Sequence, residues 1–176
     1  MYGQDVKMYT VILDNENSDL LRDFSCGNDY IDGYVSEKGA YDFTAVTKMV
    51  LNSYNNEVIC VYSLCCSSFL ISSNKKLHPH PAVEIKIFAV NKDYQDMKYS
   101  ENPDEGCLSN FILNKIIGEK FEFTDDICGA NIILLYSTEE GYDFYKKNGF
   151  KDFLEIAVKS DDKIVDGCYP MFMTMR

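Results

Sequence analysis

The segment that most constrains this chain is the apolar run Ile132-Ile-Leu-Leu-Tyr136, followed by Gly141-Tyr-Asp-Phe-Tyr-Lys-Lys-Asn-Gly-Phe150. A short apolar run bounded by turn residues reads as a buried strand. The stretch Glu139–Asn148 reads as an amphipathic helix with Phe144 and Tyr145 in it and Lys146 and Lys147 in its last turn. Basic residues there suit the negative end of the helix dipole, and Gly149 supplies the left-handed stop. Phe150 opens the next strand. A strand, a helix and a strand in succession predict a sheet with helices on its faces.

The rest of the chain continues that alternation. Val6–Leu13 is a first strand. Asn28 caps a helix to about Lys38, with Ile31, Tyr34 and Val35 facing inward. Thr47–Ser53 and Glu57–Ile71 read as strands joined at Asn55-Asn56, because asparagine tolerates positive φ. Ala82–Val90 is an apolar strand carrying Glu84 and Lys86 on one face. Cys107–Ile117 has helical spacing. Strands near Phe150–Val158 and Cys168–Met175 close the order, with Asp161–Gly167 between them. The expected fold class is α/β (α+β): a central mixed, mostly antiparallel sheet of six to seven strands flanked by about four helices. Residues 1–176 are expected to form a single domain, an ordinary length for one core.

Apolar residues make up 46% of the chain, enough to fold. The apolar runs are strand-sized, so no membrane span is expected. The segment Met1-Tyr-Gly-Gln-Asp-Val-Lys7 lacks a basic-then-apolar signal pattern, and a cytoplasmic location is expected. The seven cysteines contain no Cys-x-x-Cys, which argues against a disulfide scaffold and against zinc. His78-Pro-His-Pro81 reads as a solvated loop ahead of the strand. No metal is expected. The formal charge of −11 argues against a nucleic-acid partner, since phosphate backbones need a basic face, and mildly favours a cationic amine substrate.

The string Phe144-Tyr-x-x-x-Gly-Phe150 resembles the C-terminal signature of the GNAT acetyltransferase superfamily. The head, Phe24-Ser-Cys-Gly-Asn-Asp-Tyr-Ile-Asp-Gly-Tyr34, is similar to the opening of a bacterial subgroup that includes acetyltransferase toxins of toxin–antitoxin modules. Tyr62-Ser-Leu, Pro79-x-Pro81 ahead of Ile85–Gln95, and Pro170-Met-Phe-Met resemble later elements of that subgroup in the right order. The resemblance runs over almost the whole chain and implies the GNAT fold with acetyl-CoA as co-substrate.

The chain departs from the family where coenzyme A phosphates are bound. There the pattern is Gln/Arg-x-x-Gly-x-Gly/Ala, because backbone N–H groups must approach the phosphates closely at a helix N-terminus. Here Gln95 is followed by Asp-Met-Lys-Tyr-Ser-Glu-Asn-Pro-Asp-Glu, and the first glycine is Gly106. Either an insertion precedes Gly106-Cys-Leu-Ser109, which stands in for the loop end, or Asn102 caps a helix beginning at Pro103. In the second case Asp104 and Glu105 at the helix start repel a phosphate.

The resemblance assigns Tyr145 as the acid that protonates the leaving thiolate. The competing reading is a wall residue among Tyr142 and Phe144. Glu84 is the candidate base, relaying the amine proton through water; its competitor is a pair with Lys86. Phe88, Ala89 and Val90 would pair their backbone with the pantetheine arm, and Ser137 would contact the same arm. Gln95, Gly106, Cys107, Leu108 and Ser109 complete the implied cofactor-binding set. Cys65 and Cys66 lack a nearby histidine, so filler outweighs covalent catalysis there.

Three functions follow. The first is an N-acetyltransferase that moves an acetyl group from acetyl-CoA to a primary amine of a small molecule or protein, directly, through a ternary complex. The second is a toxin acetylating aminoacyl-tRNA. The third is an inactive GNAT-like module that binds a partner. The sequence leaves a homodimer open.

Overall fold

A computed structural model describes residues 2–73, 76–123, 129–152 and 167–174. Its described strands form one sheet of seven in the order β1-β2-β3-β4-β5-β7-β6. They are β1 (Met8–Ile12), β2 (Val46–Asn52), β3 (Val58–Ser73), β4 (Lys76–Val90), β5 (Ile132–Ser137), β6 (Lys151–Asp152) and β7 (Tyr169–Thr174). The helices are α1 (Asp29–Lys38), α2 (Lys92–Gln95), α3 (Leu108–Phe123) and α4 (Glu139–Lys147). The sheet is mixed: β4 and β5 run parallel, while β1–β2, β2–β3, β5–β7 and β6–β7 run antiparallel.

Contacts divide the chain into two compact units. The first holds Met1–Leu64 and Ile87–Ile116, the second Cys65–Lys86 and Ile117–Arg176. In the first, β1 is a sheet edge and mostly exposed, whereas β2 buries Met49, Val50 and Leu51. Asn56 takes φ 59° in the β2–β3 turn, the positive value expected of it. Asn28 Oδ1 accepts from Ile31 N–H and starts α1. In the second unit, β5 lies between β4 and β7. Its Ile132, Ile133, Leu134 and Leu135 are all buried, which explains a continuous apolar run instead of an alternating one. Phe69, Ala82, Ile132 and Leu134 form a cluster on one face, with Phe172 packed against them.

Several expectations are corrected. His78-Pro-His-Pro81 is not a loop but lies within β4. Proline has no N–H to give a ladder, and the β4–β5 register begins at Ala82, just past both prolines. The first strand, Met8–Ile12, is shorter than expected, and at its start Val6 instead closes the 3-10 turn of residues 3–5 by donating to Gly3 C=O. The signal at Asn102-Pro103 starts only a 3-10 turn, Pro103–Glu105; Gly106, at φ 69°, breaks it, and α3 begins at Leu108. α2 went unforeseen. Most of the Phe150–Val158 strand, the Asp161–Asp166 connector and Cys128 lie outside the described residues. Cys26, Cys60, Cys65, Cys66, Cys107 and Cys168 are free thiols, and Cys66 is exposed, not buried filler. No described helix is long and apolar enough to cross a membrane. Among the described residues no cluster of metal-ligating side chains occurs.

Candidate active site

The expected catalytic residues both fall in the second unit. Thr138 accepts from Gly141 N–H and begins α4, with Glu139 and Glu140 in the first turn and Lys146 and Lys147 in the last. The helix stops in a Schellman motif. Phe150 N–H donates to Tyr145 C=O at 3.0 Å, and Gly149 N–H to Lys146 C=O at 3.1 Å, with Gly149 at φ 89°. The hydrophobic contact that accompanies this motif is made by Tyr145 and Phe150, whose rings meet edge to face at 5.6 Å. Phe144 touches the same tyrosine ring at 5.3 Å. Gly149 and Phe150 thus pack the Tyr145 side chain, 9% exposed, against the end of α4.

Ser137 ends β5, is buried, and donates its hydroxyl to Thr138 C=O at 2.8 Å. A Cβ built on Gly141 would lie 3.1 Å from Ser137 Oγ and 3.3 Å from Tyr145 Cε2. The absent side chain at 141 therefore lets Tyr145 approach the end of β5. Glu84 sits on β4, half-buried, opposite Leu134 of β5. Tyr136 is two residues on from Leu134 and so shares that face. Burial pushes its phenol up, and the nearby Glu84 carboxylate pushes it further. Tyr136 was not singled out from sequence, where it looked like the end of a strand. The available signal was its period-two spacing from the partner of Glu84.

In the first unit, Phe88 is half-buried and Ala89 and Val90 are buried at the end of β4. Asn91 ties that end to β3, donating from its backbone to Ile59 C=O and from its side chain to Val58 C=O. Gln95 Nε2 bridges two carbonyls, Cys26 at 2.7 Å and Val90 at 2.9 Å. Its amide nitrogen is committed to joining the head motif to the strand end. Asp32 completes the head: its carboxylate accepts from Cys26 N–H and Ser25 Oγ, each at 2.8 Å. Burial works against its ionisation, but these hydrogen bonds, with others from Cys26 and Gly27, outweigh that and hold its carboxyl below the usual range. Burial, reinforced by Asp32, pushes the Cys26 thiol up to about 12, so this cysteine is not a nucleophile near neutrality.

The segment between α2 and α3 pairs with itself. Tyr99 N–H donates to Gly106 C=O at 3.0 Å and Leu108 N–H to Met97 C=O at 2.8 Å, a small antiparallel pairing that carries the Lys98–Cys107 bridge. Gly106 N–H goes to Pro103 C=O, and Asn110 and Phe111 N–H to Cys107 C=O. Ser109 is buried and donates its hydroxyl to Gln95 C=O at 3.3 Å. Leu108 is fully buried, Cys107 half-buried and Gly106 exposed.

No protein-family model matches the chain, nor does any curated protein. Solved structures do. A tyrosine-to-phenylalanine mutant of the toxin AtaT superposes with TM-score 0.72 at 15% identity, over 99% of this chain and 94% of that one. AtaTR bound with acetyl-CoA matches at 0.67 and 15% identity, over 96% and 93%. AtaT complexed with acetyl-methionyl-tRNAfMet matches at 0.66 and 15% identity, over 96% and 95%. The chain has the GNAT fold. The expectation that the net charge argues against a nucleic-acid partner is inconsistent with these neighbours, one of which is complexed with a tRNA. Net charge sums over the whole surface, whereas an acceptor bound by one end meets only the charges near that end.

Proposed function

We propose that the protein is an N-acetyltransferase, cytoplasmic, that moves an acetyl group from a coenzyme A thioester to a primary amine. The observation that supports this best is the match over nearly the whole chain to a structure bound with acetyl-CoA. Acetyl-CoA supplies an activated acyl carbon. In the transfer the C–S bond breaks, a C–N bond forms, the amine gives up a proton and the thiolate takes one.

This chain's residues suit the acyl half of such a donor. Tyr145, whose ring the stop motif of α4 packs against Phe150, carries a phenol that serves as proton donor to the thiolate. Glu84 takes the amine proton through water, with Tyr136 beside it. The backbone of Phe88, Ala89 and Val90 offers the extended edge a pantetheine amide arm pairs with. Ser137 donates its hydroxyl proton to Thr138 C=O and keeps its oxygen as an acceptor for an amide N–H of the arm. Gln95 serves as a brace for the strand end.

The test is Tyr145→Phe, which keeps the ring and its contact with Phe150. Turnover should fall about 10²–10⁴-fold, the usual worth of one acid catalyst. The donor-induced rise in melting temperature should persist. Unchanged turnover would return Tyr145 to a packing role. A more specific acceptor, the amino end of an aminoacyl-tRNA, is favoured by the neighbour complexed with acetyl-methionyl-tRNAfMet.

A further inference from the structure

We propose that Tyr142 and Tyr169 form a ring-lined corner beside the transfer residues that selects acceptors carrying an aromatic ring next to the primary amine. The inference rests on the acetyl-transfer reading and names the acceptor class of that site.

The corner is built from one helix and one strand of the second unit. Tyr142 stands three residues before Tyr145 on α4, and such positions are neighbours on a helix surface. Tyr169 opens β7 and pairs in register with Ser137 of β5, so the two share a face of the sheet. Ser137 Oγ and Tyr145 Cε2 lie 3.1 and 3.3 Å from the place that a Cβ on Gly141 would take, which puts α4 on that same face. The Tyr142 and Tyr169 rings meet at 5.1 Å, inclined by 58°.

Tyr142 is held in place from within the protein. Asp152 of β6 accepts from the Tyr142 hydroxyl and from Lys146 Nζ, the latter at 3.0 Å. The Lys146 ammonium lies 5.7 Å from the centroid of the Tyr142 ring. A side chain already ordered loses little entropy on binding a ligand. Apolar surface is nevertheless left open here. Tyr169 is 43% exposed, and among the described residues it is the one exposed large hydrophobic side chain of the second unit. Rings inclined in this way let a third ring stack on one and meet the other edge to face, a contact worth more than its area alone.

Charge favours the acceptor over the donor as the occupant. Glu139 and Glu140 precede Tyr142 in the first turn of α4 and Asp143 follows it, and all three are exposed. Carboxylates and aromatic faces attract an ammonium, the form in which a primary amine arrives, whereas carboxylates repel phosphates. β7 also flanks β5 on the side away from β4, whose end is the proposed edge for the pantetheine arm.

The test uses the full chain, acetyl-CoA and two acceptors of similar size, 2-phenylethylamine and 2-cyclohexylethylamine. The wild type should favour the aromatic amine in kcat/KM by about three- to tenfold, the worth of one aromatic contact. Tyr169→Leu removes a ring at an exposed position and should bring that ratio to within about twofold of unity. A merely structural role would lower both amines alike and leave the ratio unmoved. Phenylalanyl-tRNA against leucyl-tRNA repeats the comparison and shows whether the ring arrives on a free amine or on an aminoacyl group. A ring preference in either pair that Tyr169→Leu erases supports the corner. Transfer with no ring preference in either pair, or with one that survives Tyr169→Leu, would overturn the inference and leave the acetyl-transfer reading standing. Transfer to none of these acceptors would overturn both.

Discussion

Asp32 shows how one carboxylate organises the head of the chain. It collects the Cys26 N–H and the Ser25 hydroxyl, and through that loop the Cys26 carbonyl is presented to Gln95. Because its folded pKa is lowered, its contribution to stability is fully present above the unfolded value near 4 and is lost as pH falls through the folded one. Asp32→Asn keeps an acceptor but loses the charge and should cost about 1–2 kcal/mol at pH 7. The gap between variant and wild type should narrow from pH 7 to about pH 3, as protonation of Asp32 removes the charge that Asn lacks. Urea titrations at the two pH values measure it, and an equal gap at both would assign Asp32 a role independent of charge.

At the scale of the element, the α4 stop matters most. Gly149 at φ 89° occupies a conformation that an L side chain enters at a cost of about 1 kcal/mol or more. Gly149→Ala should lower the melting temperature by roughly 2–4 °C in a chain of this size. It should also reduce turnover more than a distant substitution of equal cost, because the bond from Phe150 N–H to Tyr145 C=O would loosen with it. A loss of turnover no larger than that of the matched control would separate the stop from the orientation of Tyr145. The N-terminal 3-10 turn allows a second check. Gly3→Val places branched carbon against Leu108 and the Tyr99 backbone, where even a Cβ is already 3.0–3.3 Å away. We expect destabilisation of about 1–3 kcal/mol by chemical denaturation, the usual cost of overpacking. A neutral result would show that the turn lifts off α3 easily.

For the whole molecule, salt dependence identifies the acceptor. An aminoacyl-tRNA held by its phosphates releases counterions on binding, so log(kcat/KM) should fall linearly with log salt. A small or peptide amine should give a nearly flat profile. With a formal charge of −11 distributed over the chain, a tRNA acceptor would have to meet a locally basic surface. A steep slope therefore favours aminoacyl-tRNA, and a flat one the small amine.

Much of the fold was legible in the sequence because its signals are local. The apolar run of β5, the Asn28 cap of α1, the Asn56 turn and the Gly149 stop each rest on residues within a few positions of one another, and local backbone physics is the same in any context. The same holds for Tyr145, whose orientation is written in the glycine and phenylalanine that follow it. What tertiary structure decided was where spare bonding capacity goes. Nothing near Gln95 in sequence shows that its amide reaches Cys26, sixty-nine positions away. Nothing near Gly106 shows that Met97 and Gly3 close over the start of α3. His78-Pro-His-Pro81 looked like a loop because proline breaks ladders, yet β4 pairs with β5 only from Ala82 onward and tolerates it. Hydrogen-bond partners far apart in sequence are chosen by the folded chain alone, and they determine which donors remain for a ligand.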